Sequence, residues 1–240
     1  MDLSGEVAIV TGGSRNIGLA IAAGLYRAGA RVCIVGRSDR NALDRALETL
    51  GGDAASCLGE LLHVGDEEAV TPLFERVAAT FGPVTILVNG AAERPHVPFS
   101  EMTLQSWNDV VETILTGAFL TSRELFRRLP DDRNAAIVNI GGLSAHRPGR
   151  DRAHVIAAKS GLVGLTRALA AEGQGRIRAN AIVPGAIDSD RRPGQSRPFE
   201  MDESLGTCDD VAGTVLAFSN PADVYVTGQT VHVSGGRFMP

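Results

Sequence analysis

The segment EVAIVTGGSRNIGLAIAAGLYRAG, residues 6–29, limits what this chain can become. An apolar run without alternation leads into a glycine turn, and a helical pattern follows, ending at Gly29. A strand with no polar alternation suits a sheet buried on both faces, which is the habit of parallel sheets. A parallel neighbour needs a crossover of a dozen or more residues, usually a helix. The same unit recurs downstream. ARVCIVG reads as a second strand, residues 39–50 as a helix, and ASCLGELLHV holds a third strand. Residues 66–81 are helical with acidic residues in the first turn, and VTILVNG is a fourth strand. A long helix is expected over 103–129, a fifth strand in AAIVNIGG, a helix over 151–172 and a sixth strand in IRANAIVPG. A short helix at 208–218 and the strand QTVHVSGG close the chain. Such alternation predicts an α/β fold, a doubly wound parallel sheet with helices on both faces. Neither linker nor repeat appears, so residues 1–240 are expected to form one domain.

Two segments stand apart. Residues 188–206 are polar and rich in arginine and proline, too long for a plain connection, and are expected to act as a substrate lid. The 151–172 helix is small and apolar around much of its circumference. Burial on more than one side is expected of such a helix, either at a subunit interface or deep within the monomer.

Composition excludes several classes. No apolar run reaches membrane-spanning length, and the start lacks a basic region ahead of a long apolar one, so a cytoplasmic chain is expected. The net charge of −5 gives no general attraction to nucleic acid. Cys33, Cys57 and Cys208 are scattered, suit a reducing compartment, and form no metal-ligand spacing, so no metal is expected. Of 23 basic residues 22 are arginine, and Lys159 is the single lysine. It marks a place where a compact ammonium with a tunable pKa is wanted.

The turn TGGSRNIG, residues 11–18, points to a ligand. Gly12 and Gly18 let the backbone turn sharply, and Ser14, Arg15, Asn16 and Ile17 complete the turn. The following helix start offers free N–H groups to a pyrophosphate. Asn16 stands where glycine is expected, and asparagine tolerates the left-handed conformation. At the end of strand two a carboxylate would hold a ribose 2′-hydroxyl and a cation a 2′-phosphate. This chain has Gly36 and Arg37 there, with Arg15 nearby, so NADP(H) is expected over NAD(H).

With these marks the chain resembles the short-chain dehydrogenase/reductase superfamily over essentially its whole length. The resemblance rests on TGGSRNIG (11–18), LVNGAA (87–92), IVNIGG (137–142), AAKSGL (157–162), IRANAIVPGAIDS (177–189) and VTGQTVHVSGG (226–236). It implies strand order 3-2-1-4-5-6-7, a nicotinamide cofactor, and a homodimer or homotetramer. By position, Asn89 and Ala91 would touch the cofactor ribose, Val64 and His63 the adenine, and Pro184, Gly185 and Ile187 the nicotinamide. The family's chemistry uses a tyrosine, a lysine four residues later, a serine thirteen before the tyrosine, and an asparagine in the preceding long helix. Counted from Lys159, the tyrosine position is Val155 and the serine position Gly142, and alignment puts the asparagine position at Ile114. Tyr26 and Tyr225, the two tyrosines present, lie too far away for a slipped alignment.

Cofactor binding and the family's usual reaction therefore separate. The candidate catalytic residues are Lys159, Ser144, His146 and His154, with histidine a common acid or base near neutral pH. His96, Arg94, Arg147, Arg150 and Arg152 border the expected cleft, and Arg191, Arg192 and Arg197 lie in the lid. That local positive field predicts a small-molecule substrate carrying a carboxylate or phosphate. Three readings stay open: an oxidoreductase with a different acid, a silent NADP(H)-binding pseudoenzyme or sensor, and a non-redox lyase, isomerase or cyclase.

Overall fold

The computed structural model describes residues 1–190, 205–223 and 225–240. Seven parallel strands form one sheet: β1 (Val7–Thr11), β2 (Arg31–Gly36), β3 (Cys57–Leu61), β4 (Ile86–Asn89), β5 (Ala135–Ile140), β6 (Ile177–Pro184) and β7 (Thr230–Val233). Their order is β3-β2-β1-β4-β5-β6-β7, as the family resemblance implied. The order reverses between β1 and β4, and a crevice opens there at the carboxyl ends of the strands. Register sets Thr11 opposite Asn89 and Asn89 opposite Asn139, so three polar side chains stand in a row at that edge.

Helices cover both faces. On one side α1 (Asn16–Arg27), α2 (Arg40–Thr49) and α7 (Cys208–Ala217) bury Ile21, Leu25, Leu43 and Val215 against Ala8, Val10, Ile34 and Val88. On the other, α3 (Glu67–Phe81), α5 (Gly117–Arg128) and α6 (Ala153–Glu172) cover Ile9, Leu87, Ile137 and Ala179. Strands so enclosed have no solvated face, which explains the apolar runs of β1, β2, β4 and β5, while β6 buries Arg178 and Asn180. Gly24 of α1 lies so close to Leu216 of α7 that an added Cβ would meet its Cδ1 at 2.8 Å.

The helix ends follow local chemistry. Gly29 (φ +98°) ends α1, its N–H bonded to the Tyr26 carbonyl. Asp39 and Asp66 cap α2 and α3, and Thr207 with Asp210 forms a capping box on α7. Two expectations need correction. The helix expected over 103–129 is interrupted: α4 (Leu104–Val111) passes through a π-helical turn, Glu112–Thr116, into α5. Thr113 back-bonds the Asp109 carbonyl there, and Gly117 packs against Val64, a seat that leaves no room for a side chain. The helix expected from 151 begins at Ala153, because Asp151 adopts a left-handed φ of +61° and its carbonyl accepts the Val97 N–H.

The expected lid falls mainly on 191–204, outside the described residues, as do Arg191, Arg192 and Arg197. Its two roots pair with each other, Asp188 N–H to the Gly206 carbonyl at 2.7 Å and Gly206 N–H to the Ala186 carbonyl at 3.0 Å. Among the described residues no helix is long and apolar enough to cross a membrane. Those residues also hold no group of three or more metal-ligating side chains.

Candidate active site

The crevice begins at the glycine turn. Gly12 takes a φ of +69°, and a Cβ there would meet the Gly90 carbonyl oxygen at 2.8 Å. A Cβ on Gly18 would meet the Gly12 carbonyl oxygen at 2.1 Å, so only glycine fits either position. Asn16 adopts the left-handed conformation its residue type allows, φ +49°. Its side chain is also spoken for: the amide donates to the Asp190 carbonyl at 2.9 Å and accepts the Asp190 N–H at 3.0 Å. The turn is thereby tied to the root of the expected lid. Ser14 lies against Gly36, and Ile17 packs partly into the core. Arg15 stands at the N-cap of α1 without making a side-chain cap, and no acidic residue occupies the first turn. An uncapped helix start beside a cradle closed to any Cβ fits a pyrophosphate.

Thr11 fixes the far wall. Its hydroxyl donates to the Val88 carbonyl and accepts the N–H groups of Gly90 and Ala91 at 3.0 and 3.2 Å. Asn89 is turned inward. Its amide donates to Asn139 at 2.9 Å and Ser122 at 3.3 Å, and its oxygen accepts from Thr121 at 2.7 Å. Asn139 continues the chain to Thr166, whose hydroxyl ends on the Leu162 carbonyl. Every member is satisfied, so the network locks β4, β5, α5 and α6 together. With its side chain so engaged, Asn89 presents only backbone groups to a ligand.

At the end expected to take the adenine, Val64 is buried against Gly117. His63 points to the π-helical turn, Nε2 lying 3.2 Å from the Thr113 hydroxyl. The Thr113 proton goes to the Asp109 carbonyl, so His63 donates. Arg37 and Arg15, read from the sequence as phosphate ligands, are each paired with a carboxylate: Arg37 with Glu93 and Arg15 with Asp39. Where the resemblance places the nicotinamide, Pro184 closes β6, Gly185 fits against Ser234 with no room for a Cβ, and Ile187 is buried.

Lys159 lies at the centre. It is 4% exposed, and its ammonium donates to the Ile140 carbonyl. Burial, with the Arg94 guanidinium nearby, pushes its pKa down to about 7. Gly142 faces its stem: a Cβ there would lie 3.8 Å from Lys159 Cγ and 3.6 Å from the Ser144 hydroxyl oxygen. Lys159, Gly142 and Ser144 are thus brought together. Val155, one turn before Lys159, is 1% exposed and joins Ile114, Val110, Ala118, Ala158 and Leu162 in an apolar cluster.

The histidines do not join this group. His154 is fully buried, 140° round the helix from Lys159 by the 100° step per residue. It shares the stripe of Gly161, which packs against Leu115, and neither ring nitrogen has a hydrogen-bond partner. His146 meets His232 edge-on and Phe238 at a tilt, with ring centroids at 4.5 and 5.3 Å. His96 accepts from Arg152 at the cleft rim, and burial with that guanidinium lowers its pKa. Arg147 donates to the Arg237 carbonyl at 3.1 Å. Glu93, Asp39 and Phe238 were missed in the sequence, since none lies in a local motif, while Thr11 and His232 lie within TGGSRNIG and VTGQTVHVSGG but give no local sign of their contacts.

His154 offers a test of its structural role. Burial lowers its pKa, so below about pH 6.5 the unfolded chain binds a proton that the folded one refuses. Stability is therefore whole above that pH and declines as pH falls. His154→Leu removes two unpartnered buried nitrogens and should gain about 1 kcal/mol, or about 2–4 °C in Tm at pH 7.5. The Tm loss between pH 7.5 and 5.5 should shrink but persist, because His96, His146 and His232 are lowered too. A variant with an unchanged acid slope would refute this role.

A doubly wound sheet with a glycine cradle at its switch point and an uncapped helix start defines a dinucleotide-binding protein of Rossmann type. The chain belongs to the short-chain dehydrogenase family, which it matches over residues 6–198. Relatives include the 3-oxoacyl-acyl-carrier-protein reductase FabG of Escherichia coli, 32% identical over 251 residues and all of both chains. The FabG of Pseudomonas aeruginosa is 35% identical over 247 residues, again covering both chains fully. Among solved structures, a Sinorhizobium meliloti protein assigned as a short-chain alcohol dehydrogenase is similar at a TM-score of 0.88 and 31% identity, covering 98% of this chain and 97% of that one.

Proposed function

We propose that the chain is an NADP(H)-binding oxidoreductase of this family with a non-standard proton-transfer site, acting on a small anionic or polyfunctional substrate. The observation that carries this reading is the meeting of an intact dinucleotide cradle with hydrocarbon at Val155 and Ile114, beside a buried Lys159. Gly12, Gly18 and the N–H groups of α1 would hold the pyrophosphate, Lys159 the nicotinamide ribose, and Pro184, Gly185 and Ile187 the nicotinamide. When bound, the cofactor supplies the hydride exchanged with the substrate carbon. The protein must then move a proton and steady the developing charge on oxygen. Ser144 is the hydroxyl near the place a serine at 142 would fill, and is assigned the donor role to that oxygen. Lys159 holds a proton at its Nζ close to neutral pH. Arg94, and Arg152 with His96, favour a carboxylate or phosphate on the substrate. Relatives named for reduction of 3-oxoacyl groups support a carbonyl beside a second functional group as the reacting unit.

A catalytically silent binder or a non-redox enzyme is the second reading, favoured by the closed apolar cluster around Val155. Titration of nicotinamide fluorescence with NADPH tests both. Saturable binding, with slow turnover of 3-oxo acids, supports the oxidoreductase. Binding without turnover of any ketone or alcohol supports the silent binder, and absence of binding to millimolar NADPH sinks the oxidoreductase and the silent binder and leaves the non-redox enzyme. A homo-oligomer is part of the proposal. Phe99, Leu104 and Phe119 are exposed, and Ala157, Ser160, Gly164 and Ala168 leave a smooth exposed stripe on α6.

A further inference from the structure

The two arginines at the adenosine ribose end do not stand open to a phosphate. Arg37 Nη1 pairs with Glu93 Oε1, and Arg15 Nη2 with Asp39 Oδ2. The two carboxylates differ in freedom. Asp39 is anchored: its other oxygen caps α2 by accepting the Ala42 N–H at 2.9 Å, and that bond holds its carboxyl below the usual range. Glu93 sits in the loop after β4, and no other hydrogen bond of its carboxylate is seen among the described residues. A 2′-phosphate entering here must draw Arg37 from Glu93 and then lie beside the displaced negative charge. A 2′-hydroxyl faces no such repulsion, and a carboxylate is the group that accepts its proton.

We infer that Glu93 is a specificity-determining residue, a carboxylate that competes with the 2′-phosphate for Arg37 and narrows the preference for NADP(H) over NAD(H). The inference deepens the cofactor reading above and rests on it. Arg37 and Glu93 lie 56 positions apart in sequence, and their pairing joins the loops that follow β2 and β4. Entry of the dinucleotide between those loops is thereby coupled to exchange of one anion for another on a single guanidinium. The Arg37 side chain is 47% exposed and that of Glu93 27%, so the exchange is cheap enough to be made by a ligand.

Affinity for NADPH, NADH, adenosine 2′,5′-bisphosphate and 5′-AMP should be measured on the wild type, Glu93→Gln and Arg37→Gln at two salt concentrations. Glu93→Gln should tighten NADPH and the bisphosphate about 3- to 10-fold, from release of an exposed ion pair and loss of a nearby like charge. NADH and 5′-AMP should move less than about twofold, and the gain should shrink in high salt. Arg37→Gln should weaken NADPH and leave NADH in place. An unchanged NADPH-to-NADH ratio in Glu93→Gln, with both nucleotides still bound, overturns the role of Glu93 alone. Failure of the wild type and of Glu93→Gln to bind any of the four ligands overturns the cofactor reading and this inference with it.

Discussion

Installing a phenol and a hydroxyl, by Val155→Tyr with Gly142→Ser, should raise NADPH-dependent reduction of simple 3-oxo substrates by about 10²- to 10⁴-fold, the usual worth of a positioned general acid. Space and backbone favour the serine. Gly142 has an extended φ of −176°, which any residue adopts, and a Cβ there meets nothing nearer than 3.6 Å. The tyrosine is harder to seat. Val155 is packed against Ile114 and Ala158, and overfilling that cluster should cost about 1–3 kcal/mol of stability. The direction is right all the same, because Val155 and Lys159 lie one turn apart on the same face of α6. A phenol there would stand near the Lys159 ammonium, which favours its ionised form. Val155→Phe with Gly142→Ser is the control, adding the same bulk without the acid, and it should gain nothing. Absorbance of NADPH at saturating cofactor reads the outcome. A wild type that already reduces ordinary ketones as fast as the double variant would show that another group supplies the proton.

Much of this frame is legible in the sequence because it depends on backbone demands. The glycine turn is readable since Gly12 and Gly18 tolerate no Cβ, and Asn16 since few other residues accept its φ. The sheet is readable since strands enclosed by helices are mostly apolar, although β6 buries Arg178 and Asn180. Contacts between distant segments are not written in any local pattern. That Arg37 meets Glu93, 56 positions away, and that His146 meets His232 and Phe238, follow only from strand order and loop path. The π-helical turn escaped for a related reason: its apolar spacing is helical, and nothing local marks the interruption at Glu112–Thr116, just before Gly117 packs on Val64. His154 shows the limit at shortest range. Helical spacing puts it about 100° from Val155, yet both side chains are buried, and spacing alone does not decide that α6 is enclosed on both of these sides.

Lys159→Met should make the protein more stable and a worse binder, opposite signs that a purely structural lysine would not give. The folded amine holds its proton only below about pH 7, against 10.5 ordinarily. Between those values the unfolded chain binds a proton that the folded chain releases, so stability rises with pH from about 7 to 10.5 and is level below. The buried amine therefore weakens the fold at neutral pH by an amount on the order of 4 kcal/mol. Methionine fills similar space without that burden, though it leaves the Ile140 carbonyl without this donor. A net gain of about 2–3 kcal/mol is expected, or about 4–12 °C in Tm at pH 7. NADPH affinity should fall about 10- to 100-fold with loss of a charged hydrogen-bond donor to the ribose. Ligand binding as the ammonium also requires a proton, so wild-type affinity should weaken above pH 7, by at most about tenfold per pH unit, and the variant should lose that dependence. Loss of stability together with unchanged affinity would mean that Lys159 serves only to tie α6 to the end of β5, and the cofactor role assigned to it would fall.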